Sequence, residues 1–428
     1  MGILKIKIPR FSDLLGGALI LCSLWLNVEV TLGGGLILPG VAALLAGAML
    51  SLLFLPAWLG KEAVAAVLLM TTIGLVSLCS LLVRSGAWDL LEGVGQMLSS
   101  IVVATSLLLW LKRREPAKVA AFLCFIVCGV LIVATLEVFL PQVQAVTELI
   151  RRSIYGDRSL YDAVERDILV YGLPRPMALT KEPSLVGFVI AVCLTTWVGV
   201  SVRPGRYLLA FALLAYAMWL VRTPVVVLGL AGVTAIWVYE GIISRRMRIA
   251  HMCALLLALA VLTGAVAQLF ATRIEYIVAG TDLSAAARVT ASPFVAAESL
   301  RDSPIVGFGP GSRDAVLPYV WDVLAGLGFS DRLAGMQTEV IGDYVTNYLW
   351  LHWIYFGVVG GMVVLIQLAV YGRAFGCRHP WFVIALFFLF GQAHGAYVGA
   401  PVWVVFALLV WMAGTLDARW RSIHAGER

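Results

Sequence analysis

Residues 119–140, VAAFLCFIVCGVLIVATLEVFL, form an almost uninterrupted apolar run. Its length matches the roughly 20 helical residues that cross the hydrocarbon core of a bilayer, which is about 30 Å thick. The rest of the chain has a similar composition, since 61% of its 428 residues are hydrophobic, only 13% are charged, and the mean hydropathy is +0.95. Soluble domains are far more polar. The sequence therefore predicts an all-α polytopic membrane protein and excludes a soluble multidomain enzyme.

Further apolar runs lie on both sides of this one, separated by Gly, Pro and charged residues. Together they predict twelve transmembrane helices, at residues 12–30, 36–55, 63–83, 94–111, 119–140, 183–202, 207–221, 225–243, 249–270, 346–371, 379–396 and 400–416. The segment at 207–221 is short for a span. The first run follows three basic residues but lacks a small-x-small cleavage site, so we expect a retained helix and not a signal peptide.

The basic residues gather at alternate ends of the apolar runs. With a cytoplasmic N-terminus, 18 of the 31 Lys and Arg residues fall in cytoplasmic segments, whereas the short outward loops hold only Arg84 and Arg222. This bias predicts that both termini are cytoplasmic. The net charge of +6 therefore reflects topology. We expect no nucleic-acid partner, because no basic block is interleaved with aromatic residues.

The seven cysteines, six of them in apolar runs, predict neither a disulfide framework nor a zinc site.

Two long polar segments, 141–182 and 271–345, are predicted on the outer side. In the first, Leu160, Val164 and Ile168 recur every four residues among charges, which predicts an amphipathic helix at the membrane surface. The second is predicted to be loop-like, with a tight turn at residues 307–311. The chain then divides into N-terminal helices (1–140), a first outward segment (141–182), central helices (183–270), a large outward loop (271–345), and C-terminal helices with a cytoplasmic tail (346–428).

Three arginines stand at or near the outer ends of predicted spans: Arg175, Arg222 and Arg288. An arginine at this depth is costly unless it pairs or lines a polar cavity. Its planar guanidinium can grip phosphate oxygens with two hydrogen bonds. Three converging arginines would form a pyrophosphate clamp without a metal ion. The ordinary alternative is that each arginine reaches to lipid headgroups, although Arg222 on a very short outward hairpin runs against the charge bias of such loops.

The order of these residues and their motifs resembles that of the O-antigen ligase and polymerase family. The resemblance covers about residues 170–370 and rests on Arg175 followed after six residues by Glu-Pro-Ser, Arg222 at a hairpin, Arg288 followed by DSPIVGFGPG (302–311), and TNYLWL (346–351) with FGVVG (356–360). It implies a GT-C-like glycosyltransferase of the bacterial inner membrane whose active site is periplasmic. The implied partners are an undecaprenyl-pyrophosphate-linked glycan donor, a glycan acceptor, membrane lipid and, as a further candidate, a chain-length regulator.

In that family a hydroxyl of the acceptor sugar attacks the anomeric carbon, and the lipid pyrophosphate leaves with inversion. By this resemblance Arg175, Arg222 and Arg288 would bind the pyrophosphate together with Glu182, and neither a metal nor another cofactor is expected. The ligase branch carries a histidine followed by Asn, Ser or Gln where this chain has Thr346-Asn347, and the Glu182-Pro183-Ser184 sequence is more like the signature of polysaccharide polymerases. The resemblance therefore favours a polysaccharide polymerase, with a ligase that transfers glycan to a lipid A-core acceptor as the alternative.

The general base is left open by this departure. Candidates are Glu339 and Asp343, which share one face if their stretch is helical, together with Glu182, His352 and His394. A solvated loop carboxylate is the ordinary alternative for the two acids, and a packed membrane histidine is the ordinary alternative for His352.

Two classes other than an enzyme also fit the composition: a transporter, such as a flippase of lipid-linked sugars, and a scaffold or sensor. A transporter would carry ionisable residues near the bilayer midplane, where this chain has almost none.

Aromatic residues cluster around the tenth predicted span, where we expect an interfacial belt, or stacking against sugar rings: Trp321, Tyr344, Tyr348, Trp350, Trp353 and Tyr355.

Overall fold

The computed structural model describes residues 11–26, 30–31, 37–38, 40–83, 87–155, 164–243, 264, 267–268, 270–279, 285–329 and 345–425. Within these ranges the regular structure is helical, apart from one pair of two-residue antiparallel strands, β1 (Val30–Thr31) and β2 (Ile37–Leu38). The helices up to residue 243 are α1 (Phe11–Leu24), α2 (Val41–Leu53), α3 (Lys61–Val83), α4 (Ala87–Leu111), α5 (Pro116–Phe139), α6 (Pro141–Tyr155), α7 (Val164–Tyr171), α8 (Pro183–Val200), α9 (Arg206–Val221) and α10 (Val225–Ile243). A 3-10 turn, Leu55–Leu59, separates α2 from α3.

The C-terminal part continues with short helices and then long ones. They are α11 (Ala271–Val278), a π-helical turn (Ala286–Thr290), α12 (Ala291–Asp302), α13 (Arg313–Gly326), α14 (Tyr348–Ala374), α15 (Pro380–Gly391) and α16 (Ala400–Ala425). The segment 271–345 was predicted to be loop-like. That prediction is wrong for its described residues, most of which are helical.

Seven of the described helices are long and apolar enough to cross a membrane: α3, α4, α5, α8, α10, α14 and α16. Four shorter apolar helices accompany them: α1, α2, α9 and α15. These eleven helices coincide with eleven of the predicted segments, and the segment predicted at 249–270 lies almost wholly outside the described residues. The protein is therefore a helical membrane protein, and the total of twelve spans stays a prediction.

The centre of the bundle consists of α8 and α16, which are almost entirely buried. Helix α8 packs against α5 and α10, α16 packs against α4, and α14 packs against α3. Small residues allow the close crossings, because a Cβ on Gly229 would lie 2.9 Å from the Cα of Ala191, and one on Gly232 would lie 2.6 Å from Oγ1 of Thr195. Helix α3 turns a row of leucines and valines outward, as expected of a surface that faces lipid.

Ion pairs rich in arginine and lysine join the helices at one end of the bundle, which we call the basic end. The pairs are Arg114 with Asp13 (2.5 Å), Lys112 with Glu62 (2.6 Å), and Arg206 and Arg419 with Glu240. Arg419 and Arg206 also donate to carbonyls of Val200 and Ser201 at the C-terminus of α8, where cations are favourable. The opposite end carries the connections that hold the candidate residues, and we call it the site end.

The amphipathic helix predicted around residue 164 is present as α7, although Leu160 lies outside the described residues. Ile168 is exposed, as expected for a face that meets a membrane surface, whereas Asp167 is completely buried. A second amphipathic helix, α6, was not predicted. It exposes Val146, Leu149 and Ile150 and buries Thr147, Arg151 and Tyr155.

The glycine turn at 307–311 was predicted correctly, since Gly307, Gly309 and Gly311 all have positive φ. The surroundings of the turn were not predicted. The turn packs into a break in α14. At Gly357 the backbone leaves the helix with φ 64° and ψ −172°. The freed backbone groups find partners in the turn: Phe308 N donates to Ile354 O (2.9 Å), Gly309 N to Tyr355 O (2.7 Å) and Val358 N to Pro304 O (2.7 Å). The break is therefore satisfied by protein backbone.

Candidate functional site

Arg175 lies in the connection between α7 and α8, and it is held by a carboxylate that sequence reasoning missed. Its Nη2 donates to Oδ1 of Asp167 at 2.9 Å, and its guanidinium lies 5.0 Å from the centre of the Tyr171 ring. The side chains of Arg175 and Asp167 are 6% and 0% exposed. Removing Arg175 would take a charged donor away from a completely buried carboxylate, which is costly. Arg175 therefore has a strong structural role at this position.

Arg222 ends α9 in a conformation that is unusual for a residue with a side chain. Its φ of 51° and ψ of 45° place it in the left-handed region, which glycine occupies without strain. Its Nη1 donates to the carbonyl of Tyr171, and its Nε donates to the carbonyl of Trp219 at 3.3 Å. Arg175 and Arg222 are far apart in the sequence, yet both contact Tyr171.

Arg288 lies on the π-helical turn, a distortion that occurs frequently at functional sites. Its Nη2 lies 3.9 Å from Oε1 of Glu182, and the two side chains are 19% and 39% exposed. Asn347, at the start of α14, holds this turn in place. Its Nδ2 donates to the carbonyl of Arg288 at 3.2 Å and to Oε1 of Gln392 at 2.9 Å, while its Oδ1 caps α14.

His394 joins the same group from the connection between α15 and α16. The carbonyl of His394 accepts from Tyr348 N at 3.0 Å, and its ring packs beside Phe188. Burial lowers the pKa of His394 to about 4; the Glu182 carboxylate opposes this shift, and the Arg288 guanidinium adds to it. The imidazole is therefore neutral at pH 7. Its Nδ1 accepts from Ala396 N at 3.1 Å, so the ring proton is on Nε2.

Two sets of residues lie at the site end: Arg175 and Arg222 around Tyr171, and Arg288 beside Glu182, whose charges both affect the pKa of His394. The two sets differ in exposure. Arg175 is 6% exposed and donates to a completely buried carboxylate, whereas Arg288 is 19% exposed and its Nη2 lies 3.9 Å from Glu182, beyond hydrogen-bond distance. Arg288 is therefore more accessible to a ligand than Arg175.

The other candidate general bases are Glu339, Asp343 and His352. Glu339 and Asp343 lie outside the described residues. His352 is completely buried in α14, with Nδ1 2.9 Å from the hydroxyl of Tyr397 and Nε2 3.1 Å from the carbonyl of Gly361. Because a carbonyl can only accept, Nε2 is the donor and Nδ1 accepts from Tyr397. His352 is a packed, hydrogen-bonded core residue.

The most buried residues of the aromatic cluster around α14 do not belong to an interfacial belt. Tyr348 and Tyr355 are buried, and Tyr348 and Tyr397 stack with ring centres 5.7 Å apart. Trp350 and Trp353 are half-buried against the core, and Tyr344 lies outside the described residues. Burial also removes the two tyrosines as platforms for sugar rings.

Among the residues that the structure describes, no group of three or more His, Cys, Asp or Glu side chains is placed to hold a metal ion. The sequence matches no protein-family model and has no significant similarity to a curated protein.

Proposed function

We propose that the chain is a membrane glycosyltransferase that polymerises lipid-pyrophosphate-linked glycans at the site end. The observation that carries this proposal is the pair formed by Arg288 and Glu182, whose charged atoms lie 3.9 Å apart although the residues come from separate parts of the chain. It combines a partly exposed cation with a partly exposed carboxylate that can accept a proton. Arg222 supplies a second cation at the same end of the bundle.

The charges that develop during glycosyl transfer determine which side chains can promote the reaction. The hydroxyl oxygen of the acceptor sugar forms a bond to the anomeric carbon, while the bond from that carbon to the lipid pyrophosphate breaks and leaves its electron pair on the phosphate oxygen. Guanidinium groups that are already oriented stabilise this developing negative charge. In our proposal Arg288 and Arg222 do so, and Arg175 stabilises the surrounding structure through Asp167. No metal ion is part of the proposed mechanism.

The proton of the attacking hydroxyl needs an acceptor within hydrogen-bond reach. In our proposal this acceptor is Glu182, which is 39% exposed beside Arg288. His394 is the alternative, although its one acceptor nitrogen, Nδ1, would have to give up the bond from Ala396 N and its lowered pKa makes it a weaker base. Binding of a phosphate to Arg288 would release the carboxylate of Glu182 for this task.

The membrane arrangement that accompanies the proposal is GT-C-like, with twelve spans, both termini in the cytoplasm and the site end in the periplasm of a bacterium. The arginines and lysines of the basic end support this orientation through the preference of cytoplasmic loops for positive charge. A predicted span at 249–270 would return the chain to the site end before α11.

A polymerase is preferred over a ligase because Thr346 stands where the ligase branch of the family that this chain resembles has a histidine, and because Glu182-Pro183-Ser184 is more like the signature of polysaccharide polymerases. The next residue, Asn347, is 1% exposed and joins α14, the π-helical turn and Gln392. A ligase that transfers glycan to a lipid A-core acceptor is the alternative.

A transporter or flippase of lipid-linked sugars is favoured by one observation, the break in α14 beside buried His352. Broken helices with ionisable residues are typical of transporters. However, backbone from 304–309 fills the break, and His352 is hydrogen-bonded within the core. Both features favour a closed structure over a passage.

The direct test uses cells that carry Arg288→Ala or Arg222→Ala, with Arg152→Ala, an exposed arginine on α6, as the matched control. We expect the two site variants to insert normally and to lose long-chain polysaccharide, leaving single lipid-linked repeats. Accumulation of polymer on its lipid carrier beside free core would indicate the ligase. Normal long chains in both site variants would contradict the proposal.

A further inference from the structure

The connection between α7 and α8, residues 172–182, carries Arg175 near one end and Glu182 at the other. We call it the anchored loop, because side chains from α5, from α6 and from the residue after α1 hold its backbone. Glu137, at the end of α5, is buried, and its Oε2 accepts from Met177 N at 2.7 Å and Ala178 N at 2.8 Å. A buried carboxylate so close to a membrane span is costly unless such bonds compensate it.

Arg151 of α6 holds the next part of the loop. Its Nε donates to the carbonyl of Thr180 at 2.7 Å and its Nη2 to the carbonyl of Lys181 at 2.8 Å. The Arg151 side chain is 2% exposed. Burial lowers its pKa, whereas the carboxylates of Glu148 and Glu137 raise it. The charges of Arg151 and Glu137 therefore stabilise each other across the loop.

Two further side chains complete the anchoring. Trp25 Nε1, just after α1, donates to the carbonyl of Ala178 at 2.6 Å, and the hydroxyl of Tyr155 donates to the carbonyl of Leu179 at 3.0 Å. Every residue from 177 to 181 thus has a backbone group bonded to one of these side chains.

The anchored conformation is strained. Ala178 and Leu179 have φ of 43° and 65°, and together with Arg222 they are the positive-φ residues other than glycine in the described chain. Residues with a side chain adopt this region only when their surroundings impose it, and such strain clusters at binding and catalytic sites. All three strained residues belong to the site end.

We propose that Glu137 and Arg151 are positioning residues for glycosyl transfer, which impose the strained turn at 178–179 and so fix Arg175 and Glu182 relative to Arg288. This inference rests on the proposed function. Glu137 and Arg151 do not touch substrate in this account. They act through the backbone: the turn closes on its own bond from Thr180 N to Met177 O at 2.8 Å, and the side chains of Glu137 and Arg151 hold further amides and carbonyls of the turn.

The test compares Glu137→Ala with Glu137→Gln in the full-length protein in nanodiscs. Alanine removes both acceptor bonds, whereas glutamine keeps an acceptor oxygen in the same place. Thr135→Val is the matched control, because Thr135 lies on the same helix and bonds the hydroxyl of Tyr216 at 2.8 Å instead of the loop. Two quantities are measured: hydrogen exchange of peptides that span 172–182, and kcat/KM for transfer between lipid-pyrophosphate-linked repeats.

We expect Glu137→Ala to accelerate exchange of the Met177 and Ala178 amides on the order of tenfold or more, since hydrogen bonds to a charged group are lost. We expect kcat/KM to fall by about tenfold, a loss that misplacement of reacting groups readily causes. Glutamine should recover most of both quantities, and Thr135→Val should leave both near wild type. If Glu137→Ala does not insert, Glu137→Asp takes its place, because its shorter side chain cannot reach both amides.

Accelerated exchange with unchanged kcat/KM would overturn the positioning role while leaving the proposed function intact. Unchanged exchange in Glu137→Ala would overturn the anchoring itself. Absence of transfer by the wild-type protein would overturn the proposed function, and the exchange data would still report on the anchoring.

Discussion

Replacing Arg222 by glycine and by alanine separates the role of its guanidinium from that of its backbone. Both variants lose the bonds to the carbonyls of Tyr171 and Trp219, so these losses cancel in a comparison of the two. What remains is the left-handed conformation at φ 51° and ψ 45°. It costs a residue with a Cβ about 1–2 kcal/mol and costs glycine little. Arg222→Gly should therefore be more stable than Arg222→Ala by about 1 kcal/mol, which is on the order of 1–2 °C in Tm for a chain of this size.

The glycan-transfer activities of Arg222→Gly and Arg222→Ala should not differ in the way that their stabilities do. Loss of one preorganised donor to a developing oxyanion typically lowers kcat by about 100-fold or more, so we expect both variants to be equally impaired. Arg222→Lys should retain part of the rate, because it keeps a charge but not the planar fork. The assay is glycan transfer by protein normalised for folded content, with thermal unfolding measured on the same samples. Equal Tm values for the glycine and alanine variants would refute the backbone argument. Wild-type turnover in both variants would refute the role in binding pyrophosphate.

Three further predictions concern other parts of the site end. Arg175→Met alone should destabilise the fold by about 3–5 kcal/mol because the buried carboxylate of Asp167 loses this guanidinium, and adding Asp167→Leu should restore most of this loss; a thermal-shift series that shows no recovery would contradict the pairing. His394 has a folded pKa of about 4 against an ordinary value of 6.5, so the folded state binds fewer protons between these values. Its contribution to stability should be complete above about pH 6.5 and disappear as the pH falls towards 4, and His394→Gln should flatten that part of the curve of stability against pH. Gly357→Ala should lower yield and Tm, because φ 64° and ψ −172° suit glycine alone and a Cβ would lie 2.6 Å from Gly307 N; normal yield and Tm would contradict the docking of the turn into α14.

Sequence reasoning predicted the features that depend on local composition. The apolar runs marked eleven described helices, and the glycine turn at 307–311 was recognised because glycine adopts positive φ without strain. Arg222 was singled out because a basic residue on a short outward hairpin is unusual, and the structure gives it an unusual backbone as well. These signals are local, so they can be recognised in a single sequence.

The features that were missed depend on contacts between distant parts of the chain. Glu137 looks like one polar residue at the end of an apolar run, and nothing near it in sequence indicates that it bonds residues 40 positions away. Asn347 was noted only as the residue after Thr346, which replaces a family histidine, whereas it joins Arg288 to Gln392. Helix α6 was overlooked because its pattern of exposed apolar and buried polar residues is the reverse of that of a soluble helix.

The most direct test of the central claim is transfer by the purified protein. Wild-type chain and Arg288→Ala are reconstituted separately with lipid-pyrophosphate-linked repeat units, without added metal, and the products are separated on a gel. We predict a ladder of lengthening glycans from the wild type and only the input repeat from Arg288→Ala. A ladder of equal intensity from both proteins, or none from correctly folded wild type, would contradict the account.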